Sequence, residues 1–237
     1  MNDEQLRLVD QFNRRMDTGE IAMETVSCLC GNDDFVLLAE YDRYRIKQRA
    51  VICPACGLVQ NQPRMTRQET EKFYTSDAYR KLYDPDIFEL DRQGFNDYLK
   101  KTAYRHAFVS ARRNGQALDK VLEIGCGGGW NLYPYMRNGA KVVGYDYGPA
   151  LVEFGRGLGM DLRVGSIDDV EGGEFDLIVL SHVVEHFLDP IGEVQKLAAL
   201  LKDGGMVYIE VPNVRHFCLG GLQNAHNYYF SPATLIH

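Results

Sequence analysis

Four cysteines in the amino-terminal part of the chain have the spacing of metal ligands. They form two short knuckles, each followed by glycine: Cys28-Leu-Cys30-Gly and Cys53-Pro-Ala-Cys56-Gly. Two thiolate pairs of this kind hold structural zinc tetrahedrally, and four sulfurs leave the ion no open position for a substrate. The sequence therefore predicts a small ribbon around structural Zn²⁺. The first knuckle is C-x-C instead of the commoner C-x-x-C, and four thiols without a metal are the alternative interpretation.

A second set of residues has the pattern of a nucleoside-binding site. The apolar segment Val121–Ile124 runs into the glycine turn Gly125-Cys-Gly-Gly-Gly129, and Asp146 ends the next apolar segment. Glycines let a turn approach a ligand closely, and a carboxylate in the position of Asp146 can accept both hydroxyls of a ribose. NAD is the first alternative, but its G-x-G-x-x-G turn needs a third glycine where this chain has Trp130. This departure favours a nucleoside ligand without a pyrophosphate.

Strands and helices that alternate from residue 118 onward would position these groups. Apolar strands separated by helical segments predict a parallel sheet covered on both faces, which is an α/β, Rossmann-like fold. The predicted helices lie near 130–138, from Pro149 onward and at about 190–202. The predicted strands are Lys120–Gly125, Lys141–Asp146, Leu162–Val164, Phe175–Ser181 and Gly205–Val211.

The segments before this core complete the predicted domain organisation. Residues 1–25 form an amino-terminal helix or adaptor, 26–62 the zinc ribbon, 63–116 a helical linker or lid, and 117–237 the Rossmann-like domain. A hairpin is predicted between the two cysteine pairs. The linker predicts two or three helices, broken at Asp84-Pro85 and ending at Asn114-Gly115. Its basic run predicts a solvated helix face, with phosphate contact as the alternative: Lys100, Lys101, Arg105, Arg112 and Arg113.

Composition and charge narrow the class of protein. The chain has 237 residues, is 45% hydrophobic and 25% charged, and carries a net charge of −7, which argues against a general nucleic-acid binder. It contains neither an apolar run of about 18 residues, as a membrane span requires, nor a signal peptide at Met1, so we expect a cytoplasmic location. Six cysteines in that compartment are thiols or metal ligands, and Cys126 and Cys218 are predicted to be packing residues.

Four motifs in residues 118–213 resemble those of class I S-adenosylmethionine (SAM)-dependent methyltransferases. They are Leu122-Glu-Ile-Gly-Cys-Gly-Gly-Gly, Val143-Gly-Tyr-Asp146, Phe175-Asp-Leu-Ile-Val-Leu-Ser-His-Val-Val-Glu-His186 and Leu200-Leu-Lys-Asp-Gly-Gly-Met-Val-Tyr-Ile-Glu-Val-Pro-Asn213. The resemblance implies SAM as cofactor and a role for each matching position. The methionine part of the cofactor would face Glu123, Gly125, Gly127 and Gly129. Asp146 would hold the ribose, and the adenine would be surrounded by Tyr147, Ser166, Ile167 and Asp168. His182 would lie near the methyl group.

The cysteine module and linker narrow the resemblance to zinc-containing methyltransferases of bacterial deoxysugar and surface-polysaccharide pathways. It implies a small, sugar-related acceptor, with His226 as the first candidate for the catalytic base and His186 as the second. The family's Tyr-x-Glu-His motif is here Gln223-Asn-Ala225-His226. Because the Tyr and Glu are replaced, oxygen and nitrogen are alternatives to carbon as the atom that is methylated. The alternatives are an O-methyltransferase acting on a non-sugar metabolite and a cofactor-binding but inactive partner subunit.

Two further expectations follow from this resemblance. A class I methyltransferase sheet ordinarily ends with two more strands after its fifth, so the sequence predicts a core that lacks these last strands and a natural protein that continues further. Ser231-Pro, near the carboxyl terminus, predicts the start of a helix, with Ser as N-cap and Pro in the first position. We expect the substrate to be a small molecule, and we expect neither nucleic-acid binding nor a membrane span. The chain could form a homo-oligomer or pair with a partner subunit.

Overall fold

The computed structural model describes residues 1–83, 90–216 and 219–236. The chain divides into two compact units. The cysteine unit consists of Met1–Pro85, Glu185–Leu188 and Val211–His237, and the parallel-sheet unit of Asp86–Val184 and Asp189–Glu210. Each unit therefore contains more than one segment of the sequence.

The described residues form eight α-helices and eleven strands. The helices are α1 (Asp3–Asp17), α2 (Arg67–Thr75), α3 (Asp77–Tyr83), α4 (Arg92–Arg112), α5 (Tyr133–Arg137), α6 (Pro149–Arg156), α7 (Pro190–Ala198) and α8 (Pro232–Ile236). The strands are β1 (Met23–Glu24), β2 (Val36–Tyr41), β3 (Lys47–Ile52), β4 (Val59–Asn61), β5 (Arg64–Met65), β6 (Lys120–Ile124), β7 (Lys141–Asp146), β8 (Asp161–Val164), β9 (Phe175–Ser181), β10 (Leu201–Glu210) and β11 (Tyr228–Tyr229).

The parallel-sheet unit is built on five strands in the order β10-β9-β6-β7-β8. All neighbouring strands are parallel, and every residue of β9 is buried, as expected for an inner strand covered on both faces. The chain moves outward from β6 in one direction through β7 and β8, and in the other through β9 and β10. The strand order therefore reverses beside β6, and ligands bind at such a point in open α/β sheets. The predicted Rossmann-like fold is confirmed.

Helices of this unit contribute to one hydrophobic core with the sheet. Phe95 and Val109 of α4 pack in the same cluster as Leu132, beside α5, and Val152 of α6. Cys126 lies fully buried in that cluster, so its prediction as a packing residue is confirmed. The indole of Trp130 stacks on the Tyr98 ring, with centroids 4.5 Å apart and planes inclined by 18°.

Most strand predictions are confirmed, but the boundary between α7 and β10 was wrong. The sequence predicted a helix to about residue 202 and a strand from Gly205, whereas α7 ends at Ala198 and β10 begins at Leu201. Long-range pairing explains the difference. Leu201 pairs with Phe175 of β9, and the Lys202 ammonium forms an ion pair with the buried carboxylate of Asp176. These contacts hold residues 201–202 in the sheet.

The cysteine unit contains a four-stranded sheet in the order β11-β4-β3-β2. The hairpin predicted between the cysteine pairs is confirmed as the antiparallel pair β2–β3. Strand β11, from the carboxyl-terminal part of the sequence, pairs with β4 through Tyr228 opposite Gln60 and Tyr229 opposite Val59. The two cysteine knuckles and the carboxyl-terminal segment therefore belong to one folded unit.

The helices outside the predicted core also follow the sequence. Helix α1 begins with a capping box, in which the Asn2 side chain accepts from the Gln5 amide. Helices α2, α3 and α4 lie in the linker; α4 stops before Asn114 and Gly115, which both have positive φ. Ser231 Oγ accepts from the Thr234 amide at the start of α8, as predicted.

Two sequence predictions lie outside the described residues: the helix break at Asp84-Pro85 and the packing role of Cys218. Among the helices of the described ranges, none is both long and apolar enough to cross a membrane.

Candidate functional site

A glycine turn at the carboxyl end of β6 is the centre of the candidate cofactor site. Gly125, Gly127 and Gly129 have φ values of +68°, +53° and +82°. A Cβ atom at Gly125 would lie 2.5 Å from Val183 Cγ2, and one at Gly129 would lie 2.7 Å from Met160 Cε. A side chain at either position would therefore be strained and too close to its neighbour. The turn remains a stretch of bare backbone that a ligand can approach closely.

Asp146, at the end of β7, is hydrogen-bonded to this turn. Its Oδ2 accepts from the Gly127 amide at 2.9 Å, and its Oδ1 accepts from the Gly148 amide at 2.7 Å. A carboxylate can accept about four hydrogen bonds, so these oxygens can also receive ribose hydroxyls. Tyr147 follows with 36% of its surface exposed, as a ring that flanks an adenine would require. The two amides hold the carboxylate in place before a ligand arrives.

The remaining predicted cofactor residues follow other strands of the same sheet. After β8, Ser166 caps the short turn Ile167–Asp169, and its Oγ accepts from the Asp168 amide at 3.2 Å. After β9, His182 has a φ of +57°, and its backbone N–H donates to the carbonyl of Glu210 at 2.8 Å. Because the strands are parallel, their carboxyl ends share one edge of the sheet. The structure therefore brings the predicted cofactor residues to the edge that carries the glycine turn.

Glu123 is a fully buried carboxyl group next to this edge. Its Oε1 accepts from Asn131 Nδ2 at 2.6 Å, and its Oε2 has no hydrogen-bond partner among the described residues. Burial raises the pKa of Glu123 to about 8, against the opposing effects of Asn131 and Arg105, so the group carries a proton at neutral pH. Because Oε1 accepts from Asn131, the proton lies on Oε2, and such a buried hydroxyl can donate a hydrogen bond to a ligand or accept one from it. The bare glycine turn, the Asp146 carboxylate and this oxygen together fit SAM.

Arg105 and Glu210 form an ion pair that the sequence pattern did not identify. Arg105 Nε lies 2.7 Å from Glu210 Oε2, and its Nη1 donates to Asn131 Oδ1 at 3.1 Å. Tyr208 Oη donates to Glu210 Oε2 at 2.7 Å, and His182 Nε2 lies 3.4 Å from Oε1. Burial acts to raise the pKa of Glu210, but these partners outweigh it and hold the pKa well below its usual value.

The position of Arg105 corrects one sequence prediction. The basic run of α4 predicted a solvated face, but the Arg105 side chain is only 12% exposed and lies in a chain of hydrogen bonds from Glu210 to Glu123. The available signal was Glu210 itself, an acidic residue that follows the run Met206-Val-Tyr-Ile209 near the end of β10. That residue indicates a buried cation, although it does not indicate which one.

The four predicted zinc ligands lie together in the cysteine unit. The Sγ atoms of Cys28 and Cys56 are 3.5 Å apart, those of Cys30 and Cys53 are 3.7 Å apart, and all four lie within 4.8 Å of one another. Tetrahedral Zn–S bonds of about 2.3 Å place sulfurs about 3.8 Å apart. Burial raises the pKa of the Cys53 thiol, but the backbone amides of Cys56 and Ala55 bring it down to about 7. Donor type and spacing both fit zinc.

The two predicted catalytic histidines also lie together in the cysteine unit. The rings of His186 and His226 are 4.7 Å apart and nearly perpendicular. His186 Nδ1 lies 2.8 Å from the Ala225 carbonyl and 2.6 Å from Tyr74 Oη. His226 Nε2 contacts the Gln223 amide and lies 3.9 Å from the buried Glu185 carboxylate. Glu185 and Tyr74 also belong to this cluster, and the sequence pattern had assigned neither of them a role.

Comparison with known proteins gives a family model that matches more than half of the chain. The profile of a family described as "Methyltransferase domain" matches residues 90–237. The ubiquinone biosynthesis O-methyltransferase of Xanthomonas axonopodis pv. citri (strain 306) is 36% identical over 118 residues, which cover 46% of this chain and 49% of that protein. The chain thus spans about half the length of the curated relatives it matches.

Solved structures give weaker similarities. The plantazolicin methyltransferase BpumL, solved in complex with SAH, is 18% identical with a TM-score of 0.45 and covers 63% of each chain. The magnesium protoporphyrin IX methyltransferase (ChlM) of Synechocystis PCC 6803, with bound SAH, is 17% identical with a TM-score of 0.44; the match covers 58% of this chain and 68% of that one.

Proposed function

The chain belongs to the family of methyltransferase domains, and we propose that it transfers the methyl group of SAM to a small, sugar-related acceptor. The glycine turn with Asp146 carries the first half of the proposal, because it offers bare backbone and a fixed carboxylate at the carboxyl edge of the sheet. The combination of a four-cysteine cluster with a methyltransferase core supports the second half. That combination resembles the sugar methyltransferases of bacterial surface-polysaccharide pathways.

In this proposal the parallel-sheet unit holds the cofactor. The backbone at Gly125, Gly127 and Gly129, together with Glu123, would face its methionine part. Asp146 would accept the ribose hydroxyls, and Tyr147 with Ser166, Ile167 and Asp168 would surround the adenine. His182 would lie near the methyl group. When bound, SAM supplies an electrophilic methyl on a positively charged sulfur, so the protein must mainly align the acceptor for in-line attack.

His226 is our candidate for the base that takes a proton from the acceptor, with His186 as the second choice. As the acceptor atom forms its bond to the methyl carbon and the bond from carbon to sulfur breaks, the acceptor proton would pass to the His226 imidazole. The Glu185 carboxylate, 3.9 Å from Nε2, would stabilise the imidazolium that results. Tyr74 and the Ala225 carbonyl would hold His186 in one orientation.

We further propose that Cys28, Cys30, Cys53 and Cys56 bind structural zinc. Their four sulfurs would occupy every position around the ion, which leaves it a role in folding and not in catalysis. We propose the same division of the sequence as above: the amino-terminal helix or adaptor 1–25, the zinc ribbon 26–62, the helical linker or lid 63–116, and the methyltransferase segment 117–237.

A second candidate function is O-methylation of a non-sugar metabolite. The observation that favours it is the 36% identity to a ubiquinone biosynthesis O-methyltransferase. The replacement of the family's Tyr and Glu by Gln223 and Ala225 also fits an oxygen acceptor. A third candidate, a cofactor-binding but inactive partner subunit, fits the same replacements.

The test combines binding and turnover. We expect calorimetry to detect SAH binding to the zinc-loaded protein, and Asp146→Ala to weaken it strongly while Asp161→Ala, an exposed control, leaves it unchanged. SAH formation is then measured with nucleotide sugars and with phenolic acceptors. Methylation of a sugar supports the proposal, and methylation of phenols alone supports the second candidate. Binding without turnover on any acceptor indicates the inactive subunit, and no binding by folded protein contradicts the cofactor assignment.

A further inference from the structure

Glu185, His186 and His226 form a second group of side chains with metal-ligating atoms. One atom from each, two imidazole nitrogens and a carboxylate oxygen, lie within 4.8 Å of one another. Glu185 is 1% exposed and His226 is 6% exposed, whereas His186 is half-buried, and all three residues belong to the cysteine unit. Its donors differ in kind from those of the cysteine cluster. Nitrogen and carboxylate ligands are the set that zinc-class ions bind in open sites.

One contact of His186 is typical of a histidine that binds a metal. Its Nδ1 lies 2.8 Å from the Ala225 carbonyl, which can only accept, so the proton is on Nδ1 and the lone pair on Nε2. Histidines that bind metals commonly donate their other N–H to a carbonyl in this way, which fixes the ring and its tautomer. Tyr74 Oη, which donates to the same carbonyl at 3.1 Å, closes that side of the ring.

Hydrogen bonds join the two backbone segments that carry the three side chains. The Asn227 amide donates to the carbonyl of Glu185 at 2.8 Å, and Asn227 Nδ2 donates to the carbonyl of His186 at 2.7 Å. The turn with Glu185 and His186 is thereby tied to the segment with His226. A metal site needs such support, because ligands from separate segments must keep their spacing before the ion arrives.

We propose that Glu185, His186 and His226 bind a divalent zinc-class ion at a site separate from the four cysteines. His226 Nε2 and Glu185 Oε1 are 3.9 Å apart, and ligand atoms in a tetrahedral Zn site lie about 3.4 Å apart, so small side-chain rotations bring them into range. The ion replaces the present contacts among these groups, including that of His226 with Gln223. Three protein ligands leave a fourth position for water or for an acceptor atom.

Bound metal has a consequence for catalysis, and this consequence alone rests on the proposed function. Coordination uses the lone pairs of both histidines, and a coordinated imidazole nitrogen cannot take up a proton. An ion at this site therefore inhibits proton removal by His226 or His186. Zinc in excess of the structural ion should reduce turnover, and a mild chelator that leaves the cysteine cluster loaded should restore it.

The experiment measures metal binding without SAM or acceptor. Protein with one zinc in the cysteine cluster is titrated with Co²⁺ and followed by visible absorption. We expect one further equivalent with the bands of nitrogen and oxygen ligands and without thiolate-to-cobalt charge transfer. His226→Ala and Glu185→Gln should each weaken this binding by roughly 10-fold or more. His106→Ala, a histidine in the parallel-sheet unit, is the matched control and should leave it unchanged.

Retention of one zinc per chain by the variants shows that the cysteine unit has folded. The proposal is overturned if folded wild-type protein takes up no second equivalent, or if binding persists unchanged in both variants. Should Co²⁺ bind as expected while turnover continues undiminished, the metal site stands and the assignment of the base fails. Loss of activity cannot imitate the binding result, since the titration contains no substrate.

Discussion

Replacing Glu123 with Gln tests the electrostatics of the candidate cofactor site. Glu123 is fully buried, and burial raises its pKa from an ordinary 4.5 to about 8. Between these values the folded protein keeps the proton and the unfolded chain loses it. The folded state therefore binds more protons, and its stability falls as the pH rises through this window. Gln has the shape of the protonated acid and does not titrate, so the variant should lose this dependence.

The size of the effect follows from the two pKa values. Each pH unit inside the window changes the free energy of unfolding by about 1.4 kcal/mol. Between pH 5 and pH 7 the wild type should lose about 2.5 kcal/mol relative to Glu123→Gln. Below about pH 4.5 the difference between the two proteins should vanish, because Glu123 is then protonated in the unfolded chain as well as in the folded one. Glu210, whose pKa is depressed, loses its stabilising contribution only as the pH falls below about 4.5, so it does not disturb this range.

The assay is urea unfolding at several pH values from 5 to 8, followed by tryptophan fluorescence. Trp130 is the single tryptophan and lies in the same unit as Glu123, so the signal reports on that unit. Glu153→Gln is the matched control, since the Glu153 side chain is 77% exposed on α6 of the same unit. Parallel pH dependences for wild type and Glu123→Gln would refute the argument and show that the carboxyl is ionised in the folded state.

Three further predictions concern the remaining sites. Binding of SAH should change the fluorescence of Trp130, which stacks on Tyr98 beside the glycine turn; a saturable titration checks this, and Asp146→Ala should abolish the change at the same ligand concentrations. Cys53→Ser should release the zinc and lower the melting temperature of the cysteine unit, and metal analysis with calorimetry that showed full zinc content would contradict the assignment. Arg105→Gln should destabilise the parallel-sheet unit by about 2–4 kcal/mol, because it leaves the partly buried Glu210 carboxylate without its cation. Denaturant unfolding measures the loss, and Lys100→Gln, which removes an exposed ion pair with Asp97, should cost under about 1 kcal/mol.

Local patterns were sufficient to predict most of the fold. The segment Phe175–Ser181 could be recognised as a strand of a parallel sheet because its middle, Leu177–Leu180, is continuously apolar. The glycine turn and Asp146 could be located because they follow such runs, and strand ends are where parallel sheets place their ligands. The cysteine cluster could be predicted because the short spacing of the cysteines within each pair is typical of metal ligands.

Features that depend on distant partners could not be predicted. Residues 201–202 were read as helix because their partners, Phe175 and Asp176, are not visible in the local pattern. Arg105 belongs to a basic run, which predicts a solvated side chain. Its partner Glu210 lies 105 residues further along the sequence, so the local pattern does not show the ion pair. Short-range periodicity reports which side of an element is apolar. It does not report which charge on another element will meet a given side chain.

The distance in sequence between the paired strands β4 and β11 has a consequence for folding during synthesis on the ribosome. Strand β4 ends at Asn61, and its partner β11 begins at Tyr228, with the whole parallel-sheet unit encoded between them. The cysteine knuckles and the strands β2 to β4 emerge early, and the proposed zinc would find all four of its ligands already synthesised. One edge of β4 stays unpaired until Tyr228 and Tyr229 have been synthesised, and unpaired edges invite association with other chains. Early metal uptake would keep this nascent segment folded while the ribosome completes the strand that closes its sheet.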